Sequence, residues 1–187
     1  MSITFSFDIN KTIAALAYLA RRKGATLDMF LSIKRLYAAD RRALTSWGKT
    51  ITGDKMISLD NGPVLSIVYN LFKGEGSVTN LREWRSYFGD TVNNTVTLRR
   101  DANIDLLSEE EIDALEAASQ EIGSVAPWHV AEFLHGLYPE WEDPHGGMRK
   151  IDPATILRKV GRTEEEIRMI EESAESFNEI ERMFSRL

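Results

Sequence analysis

No cysteine occurs among the 187 residues. Disulfides, thiolate nucleophiles and cysteine-based zinc sites are therefore excluded. Histidine is scarce, with 3 copies, and two of them, His129 and His135, stand six positions apart. On one helix that spacing points them in widely different directions, whereas helical metal ligands usually sit three or four apart. No metal site is expected. Neither a Gly-x-Ser-x-Gly elbow nor a His-Glu-x-x-His pair occurs, and both are needed by the chemistries named after them. The one glycine that leads into a helix, Gly62, lacks the further glycines and the Lys-Ser/Thr pair of a phosphate loop. No apolar run approaches the roughly 18–20 residues that span a bilayer. The opening MSITFSFDINKT has no basic stretch ahead of an apolar one, so no signal peptide is expected. These absences leave no catalytic residue and no cofactor to name. A cytoplasmic address without membrane attachment is expected.

What is present is an ordinary globular composition, 43% apolar and 28% charged. Its length suits one domain with a sizeable core. The charge is unevenly divided. Residues 1–100 hold 15 Lys+Arg against 8 Asp+Glu, and residues 101–187 hold 8 against 21. The halves therefore carry +7 and −13. Either they pack on each other with solvated faces, or one face steers a charged partner. The net charge of −6 argues against nucleic acid as the main ligand, because phosphate neutralisation needs clustered cations.

Helical periodicity dominates the pattern. Ile13, Leu16, Leu19 and Ala20 predict a first helix over about 8–23, with Gly24 beyond it. Thr26 is the expected N-cap of a second helix over about 27–47. Its stripe of Met29, Ile33, Leu36, Asp40, Leu44 and Trp47 is a buried face. Asp40 lies inside that stripe and must find a partner, since an unpaired buried charge is costly. Arg41, Arg42, Lys49 or backbone N–H groups are the candidates, and the role is read as structural. Gly48 ends the helix. Lys55–Leu59 alternates as a short strand, and Asp60-Asn61-Gly62 is a turn. Pro63 suits the first turn of a new helix. A short helical piece is expected around Leu81–Phe88. Thr95–Leu98 reads as a strand that pairs with Met56–Leu59, and Ile3–Phe7 is a weaker strand candidate. Capping boxes at Ser108-x-x-Glu111 and Thr163-x-x-Glu166 start two further helices. Pro127 and Asp152-Pro153 start two more. The last helix is expected to run to about Ser185, with Ile167, Ile170, Ala174, Phe177, Ile180 and Phe184 as its inward stripe. The expected fold is mainly α: one helical domain over 1–187 with a small antiparallel β-ribbon, and 152–187 as a C-terminal helical extension packed on it.

The segment IKRLYAADRRALTSWGKTITGDKMISLDNGPVLSIVYNLFKG carries more information than its periodicity. Lys34, Leu36, Tyr37 and Asp40 form a Lys-x-Leu-Tyr-x-x-Asp helix. Gly48, Ile51, Thr52, Gly53 and Asp54 form a Gly-x-x-Ile-Thr-Gly-Asp turn. Gly62, Pro63 and Val64 precede a helix with Tyr69. Leu134, His135 and Trp141 follow downstream at looser spacing. This ordered series resembles the Panacea family, the SocA-like antitoxins, over about residues 8–142.

The resemblance implies an antitoxin of a toxin–antitoxin system, prophage-associated, that neutralises a cognate toxin protein by direct binding and catalyses nothing. In one branch of the family the antitoxin also delivers the toxin to a protease. It brings no catalytic residue with it. Lys34, Tyr37, Asp40, Gly62, Pro63 and Tyr69 are read as structural motif positions. Gly53 and Gly62 suit turn dihedrals barred to other residues, and Asp54 suits a turn cap. A family that meets unrelated toxins needs an adaptable surface, and loops adapt more readily than packed helices. The toxin-binding candidates are therefore Gly53, Asp54 and Met56, Asn61 in the next turn, and Trp84 and Tyr87 in the following connection, the alternative for these two aromatics being that they pack under the ribbon. The alternative is a DNA-binding regulator of its own operon. It draws on the basic clusters at 21–23, 34–35 and 41–42 across two helices joined at Gly24. A homo-oligomer is compatible with either.

Overall fold

The computed structural model describes residues 3–184. Its helices are α1 (Ile9–Arg21), α2 (Met29–Trp47), α3 (Ser66–Phe72), α4 (Val78–Tyr87), α5 (Glu109–Gly123), α6 (Val130–Leu137), α7 (Pro153–Lys159) and α8 (Glu164–Phe184). The strands are β1 (Thr26–Asp28), β2 (Met56–Leu59), β3 (Gly62–Leu65), β4 (Thr95–Thr97) and β5 (Arg149–Lys150). The architecture is mainly α, as the periodicity predicts. Among the described residues no helix is long and apolar enough to cross a membrane.

The central element is α2, which packs on α5, α1, α7 and the β2–β3 hairpin. Its alanines explain the close approach, for Ala38, Ala39 and Ala43 are all buried, as are Ala14, Ala15, Ala17 and Ala20 on α1. Leu16, Leu36, Leu44, Leu65 and Leu115 are fully buried among them, each contributing about 1.5–3 kcal/mol by removal from water. Helix ends follow local chemistry. The Asp8 carboxylate accepts from the amides of Asn10 and Lys11 at the start of α1. Gly48 closes α2 at φ 81, its N–H donating to Leu44 O. The capping boxes at Ser108/Glu111 and Thr163/Glu166 both form.

Four expectations need correction. Thr26 does not cap α2. Gly24 and Ala25 both take positive φ, the chain turns back, and Thr26–Asp28 pairs antiparallel with β4. Asp28 is the cap, its carboxylate accepting from Leu31 N at 2.8 Å. Next, Thr95–Leu98 does not pair with Met56–Leu59. The ribbon is two small sheets, β1 with β4, and β3-β2-β5 in that order. Gly62-Pro63 also does not open a helix. It forms β3, with Pro63 opposite Ser58, and α3 starts at Ser66. Proline is tolerated because β3 is an edge strand, where a missing N–H breaks no ladder. Finally, Ile3–Phe7 forms no strand among the described residues, although Ile3 is buried and the Asp8 N–H donates to Thr52 O at 2.8 Å.

The inward stripe of α8 is only half realised. Ile167 and Ala174 are buried, and Ile170 packs over Gly48. Asn178 exchanges hydrogen bonds with Ser6 and Thr4. Phe177, Ile180 and Phe184, by contrast, are 60%, 51% and 72% exposed. The expected helix end at Ser185 lies outside the described residues.

Candidate functional site

On α2, Tyr37 is three residues after Lys34, and Asp40 and Arg41 are three and four residues after Tyr37, so that helical periodicity sets each of the three beside Tyr37. Each reaches a different loop. Asp40 is fully buried and accepts from Ile51 N at 2.9 Å, from Thr52 N at 3.1 Å and from the Thr52 hydroxyl. The backbone is thus the partner of this carboxylate, and the Ile51-Thr52 turn is fastened to the helix. Burial pushes the Asp40 carboxyl up to about 7, against the pull of these three donors.

The neighbouring turn repeats the device. Asp54 is 5% exposed and accepts from Lys55 N at 2.6 Å, Ile67 N at 3.0 Å and Val68 N at 2.9 Å. Its oxygens satisfy amides in the first turn of α3 that have no intrahelical partner. Burial raises this carboxyl to about 6. Gly53, between the two aspartates, has φ 69, and a Cβ there would stand 1.8 Å from Ser6 O. Only glycine combines that dihedral with that approach.

Tyr37 and Arg41 converge on Glu140, in the loop after α6. The Tyr37 hydroxyl donates to Glu140 Oε1 at 2.9 Å. Arg41 makes a two-pronged pair, Nε to Oε1 at 2.6 Å and Nη2 to Oε2 at 3.1 Å. The Glu140 side chain is 0% exposed. Tyr37 is held well above the usual phenol range, by burial first and the Glu140 charge second. Beside this pair, Trp141 Nε1 donates to Leu59 O at 3.0 Å, and His135 stacks on Trp141 with centroids 3.5 Å apart. Together they latch the α6 loop to the hairpin. Glu140 belongs to none of the sequence motifs, since it falls in Pro139–Pro144, whose two prolines break a helix. Position alone gives no signal, for Glu142, equally next to Trp141, has a side chain 63% exposed.

Lys34 completes the row. It is 1% exposed, and its Nζ donates to Pro63 O at 2.9 Å. It lines a cleft of about 440 Å³ together with Phe30, Ile33, Asn61, Val64, Tyr69 and Asn94. Burial lowers the ammonium to about 7.

The structure brings Lys34, Tyr37, Asp40, Gly62 and Pro63 into one buried polar frame, with Tyr69 half-buried at its edge. It does not gather the six toxin-binding candidates into one exposed patch. Gly53, Asp54 and Met56 are buried. Trp84 is 3% exposed, held between Phe72 and Phe88 with centroids at 5.1 and 4.4 Å, so it is no surface anchor. Tyr87 is half-buried under the Arg100 guanidinium, and Asn61 is exposed at the hairpin tip.

The enclosed acids hold loops in place and face no open space, so a stability effect is expected from them. Asp40→Ala strands two amides and a hydroxyl, and should cost about 1–3 kcal/mol in chemical denaturation. A carboxyl whose folded pKa lies above its unfolded one gives its full contribution at low pH and loses it as pH rises through the folded value. The stability of the wild type relative to Asp40→Asn should therefore fall between pH 4 and 7 and then level off. An unchanged difference across that span would remove the raised Asp40 carboxyl.

The family model described as "Antitoxin SocA-like, Panacea domain" matches residues 33–142. No curated protein and no solved structure matches the chain. The match starts at Ile33, so it leaves out α1, which the motif resemblance had included. It holds every residue of the Lys34–Glu140 frame. The chain belongs to the SocA-like Panacea antitoxin domain family.

Proposed function

We propose that this protein is an antitoxin that neutralises a cognate toxin by direct binding, without catalysis, and that the outer half of α8 is its main contact surface. Family membership supports the antitoxin role. One observation supports the surface: Phe177, Ile180, Met183 and Phe184 stand 51–72% exposed on a single helix. That helix carries eight Glu against two Arg. Monomeric proteins seldom leave clustered large apolar side chains in water, and such clusters mark interaction sites. Aromatic anchors ringed by charge are the usual anatomy of an interface that carries its energy in a few residues. The acidic setting selects a basic partner surface, which would also speed encounter. α8 lies beyond the matched family segment, where a partner-specific element can differ without disturbing the shared frame.

The test is co-expression with the product of the neighbouring gene, purification through one partner, and growth rescue. The doubly substituted Phe177→Ser/Ile180→Ser protein should keep its helical circular dichroism and thermal midpoint, yet lose both the complex and the rescue. Asn61→Ala and Tyr87→Ala should do neither. Full rescue by the α8 variant would move the interface to the hairpin side. Rescue without any complex would replace direct binding by control of transcription.

A further inference from the structure

The cleft beside the β2–β3 hairpin contains a cation with no counter-ion among the described residues. Lys34 is 1% exposed, yet among the described residues its ammonium has a single hydrogen-bond acceptor, Pro63 O, and no carboxylate lies within ion-pair distance. An ammonium has three N–H donors, so two are left without a protein acceptor. Buried charges are otherwise paired. The groups packed directly against it, Phe30 and Gly62, carry no negative charge. The Phe30 ring lies 5.4 Å from Nζ, and Nζ packs against Gly62, 3.3 Å from where a Cβ would stand. Across Gly62, His135 has its pKa lowered, by burial first and by Lys34 itself second, which favours the neutral imidazole. Asp60, the acid that lines the cleft, makes no ion pair with Lys34 and accepts from Gly146 N at 2.9 Å.

The walls complete the picture. Phe30, Ile33, Val64 and Tyr69 are apolar or aromatic, and Asn61 and Asn94 put amides at the mouth. At about 440 Å³ the space matches the range of small-ligand pockets, which pair apolar walls with a few fixed polar groups. We propose that this cleft binds a carboxylate carried on an apolar body of about the size of a phenylalanine side chain, with the Lys34 ammonium as its counter-ion. The site lies on the hairpin and is independent of the α8 surface, so either reading can fail alone. The same chemistry is presented by a free aryl or branched aliphatic acid and by the C-terminal carboxylate of a peptide.

Three probes distinguish these sources by calorimetry and amide chemical shifts on the full chain: phenylacetate, N-acetyl-phenylalanine and N-acetyl-phenylalaninamide. One or both acids should bind saturably, with shifts confined to Met29–Lys34, Leu59–Val64 and Tyr69, and the uncharged amide should not. Phenylacetate alone would identify a free acid, and N-acetyl-phenylalanine a chain terminus. Lys34→Met should weaken binding about tenfold or more, as loss of a charge-assisted hydrogen bond requires. Should that variant fail to fold, the wild type decides. With an ammonium that titrates near 7, affinity for the acid should fall about 30-fold from pH 6 to 8.5. His135→Gln should keep that dependence. The idea is overturned if the amide binds as well as the acids, if no probe saturates at millimolar concentration, or if affinity is flat between those pH values.

Discussion

Replacing Glu140 by Ala is expected to destabilise the fold by about 3–5 kcal/mol, the cost of stranding one member of a buried ion pair. Arg41 would lose both prongs of its one carboxylate partner among the described residues while its side chain remains 15% exposed. The Tyr37 hydroxyl, fully buried, would lose its acceptor. Because Glu140 joins α2 to a loop 99 residues away, the damage should spread beyond its immediate contacts. The α6 loop, with Trp141 and His135, should loosen from the hairpin, and amide exchange near Leu59 should rise. Glu140→Gln keeps the volume and an acceptor for Tyr37, so it should cost less than Glu140→Ala. Arg41→Met combined with Glu140→Gln should recover part of the loss, since neither charge is then left alone. Chemical denaturation of the four proteins measures this directly. A Glu140→Ala midpoint equal to that of the wild type would show that the buried pair holds nothing together.

Gly53→Ala has the second large expected effect. The left-handed backbone at φ 69 costs a non-glycine residue roughly 1–2 kcal/mol. The added methyl would also stand 1.8 Å from Ser6 O, an overlap with rigid backbone, and overpacking of that kind costs about 1–3 kcal/mol more. Relief requires residues 5–8 to move away, which breaks the Asp8 N–H to Thr52 O bond. Hydrogen exchange should therefore show Asp8 losing protection well before the α2–α5 core does. Protection lost equally throughout the chain would point to a global role for the turn.

Much of this molecule was legible in its residues. Ile13, Leu16, Leu19 and Ala20 at helical spacing, Gly48 at a helix end, and two capping boxes placed helices that form the core. Those signals act within one or two turns of chain, where local hydrogen bonding decides the outcome. The ordered motif from Lys34 to Tyr69 revealed the family, and Asp40 was recognised as a buried acid in need of partners. The readings that failed all depended on distant chain. Pro63 has a helix-opening signature, yet an edge strand accepts it equally well, and the strand that it pairs with decides. Thr95–Thr97 carries strand residues but no information on which strand it meets. Trp84 is a good interface residue type, and only the Phe72 and Phe88 rings make it a core residue.

By itself, the sequence determined the α class, the helix starts at the two capping boxes, the helix end at Gly48, the lack of disulfides and the family, because composition, periodicity and capping are properties of neighbouring residues. The tertiary structure alone decided where the buried charges end. Glu140 closing on Tyr37 and Arg41 across 99 residues, Lys34 meeting Pro63 O without a counter-ion, and Phe177 and Ile180 left in water all depend on which distant segments pack together. The physical reason is that desolvation and ion pairing are set by the surroundings in space, and those surroundings come from chain far from the residue concerned.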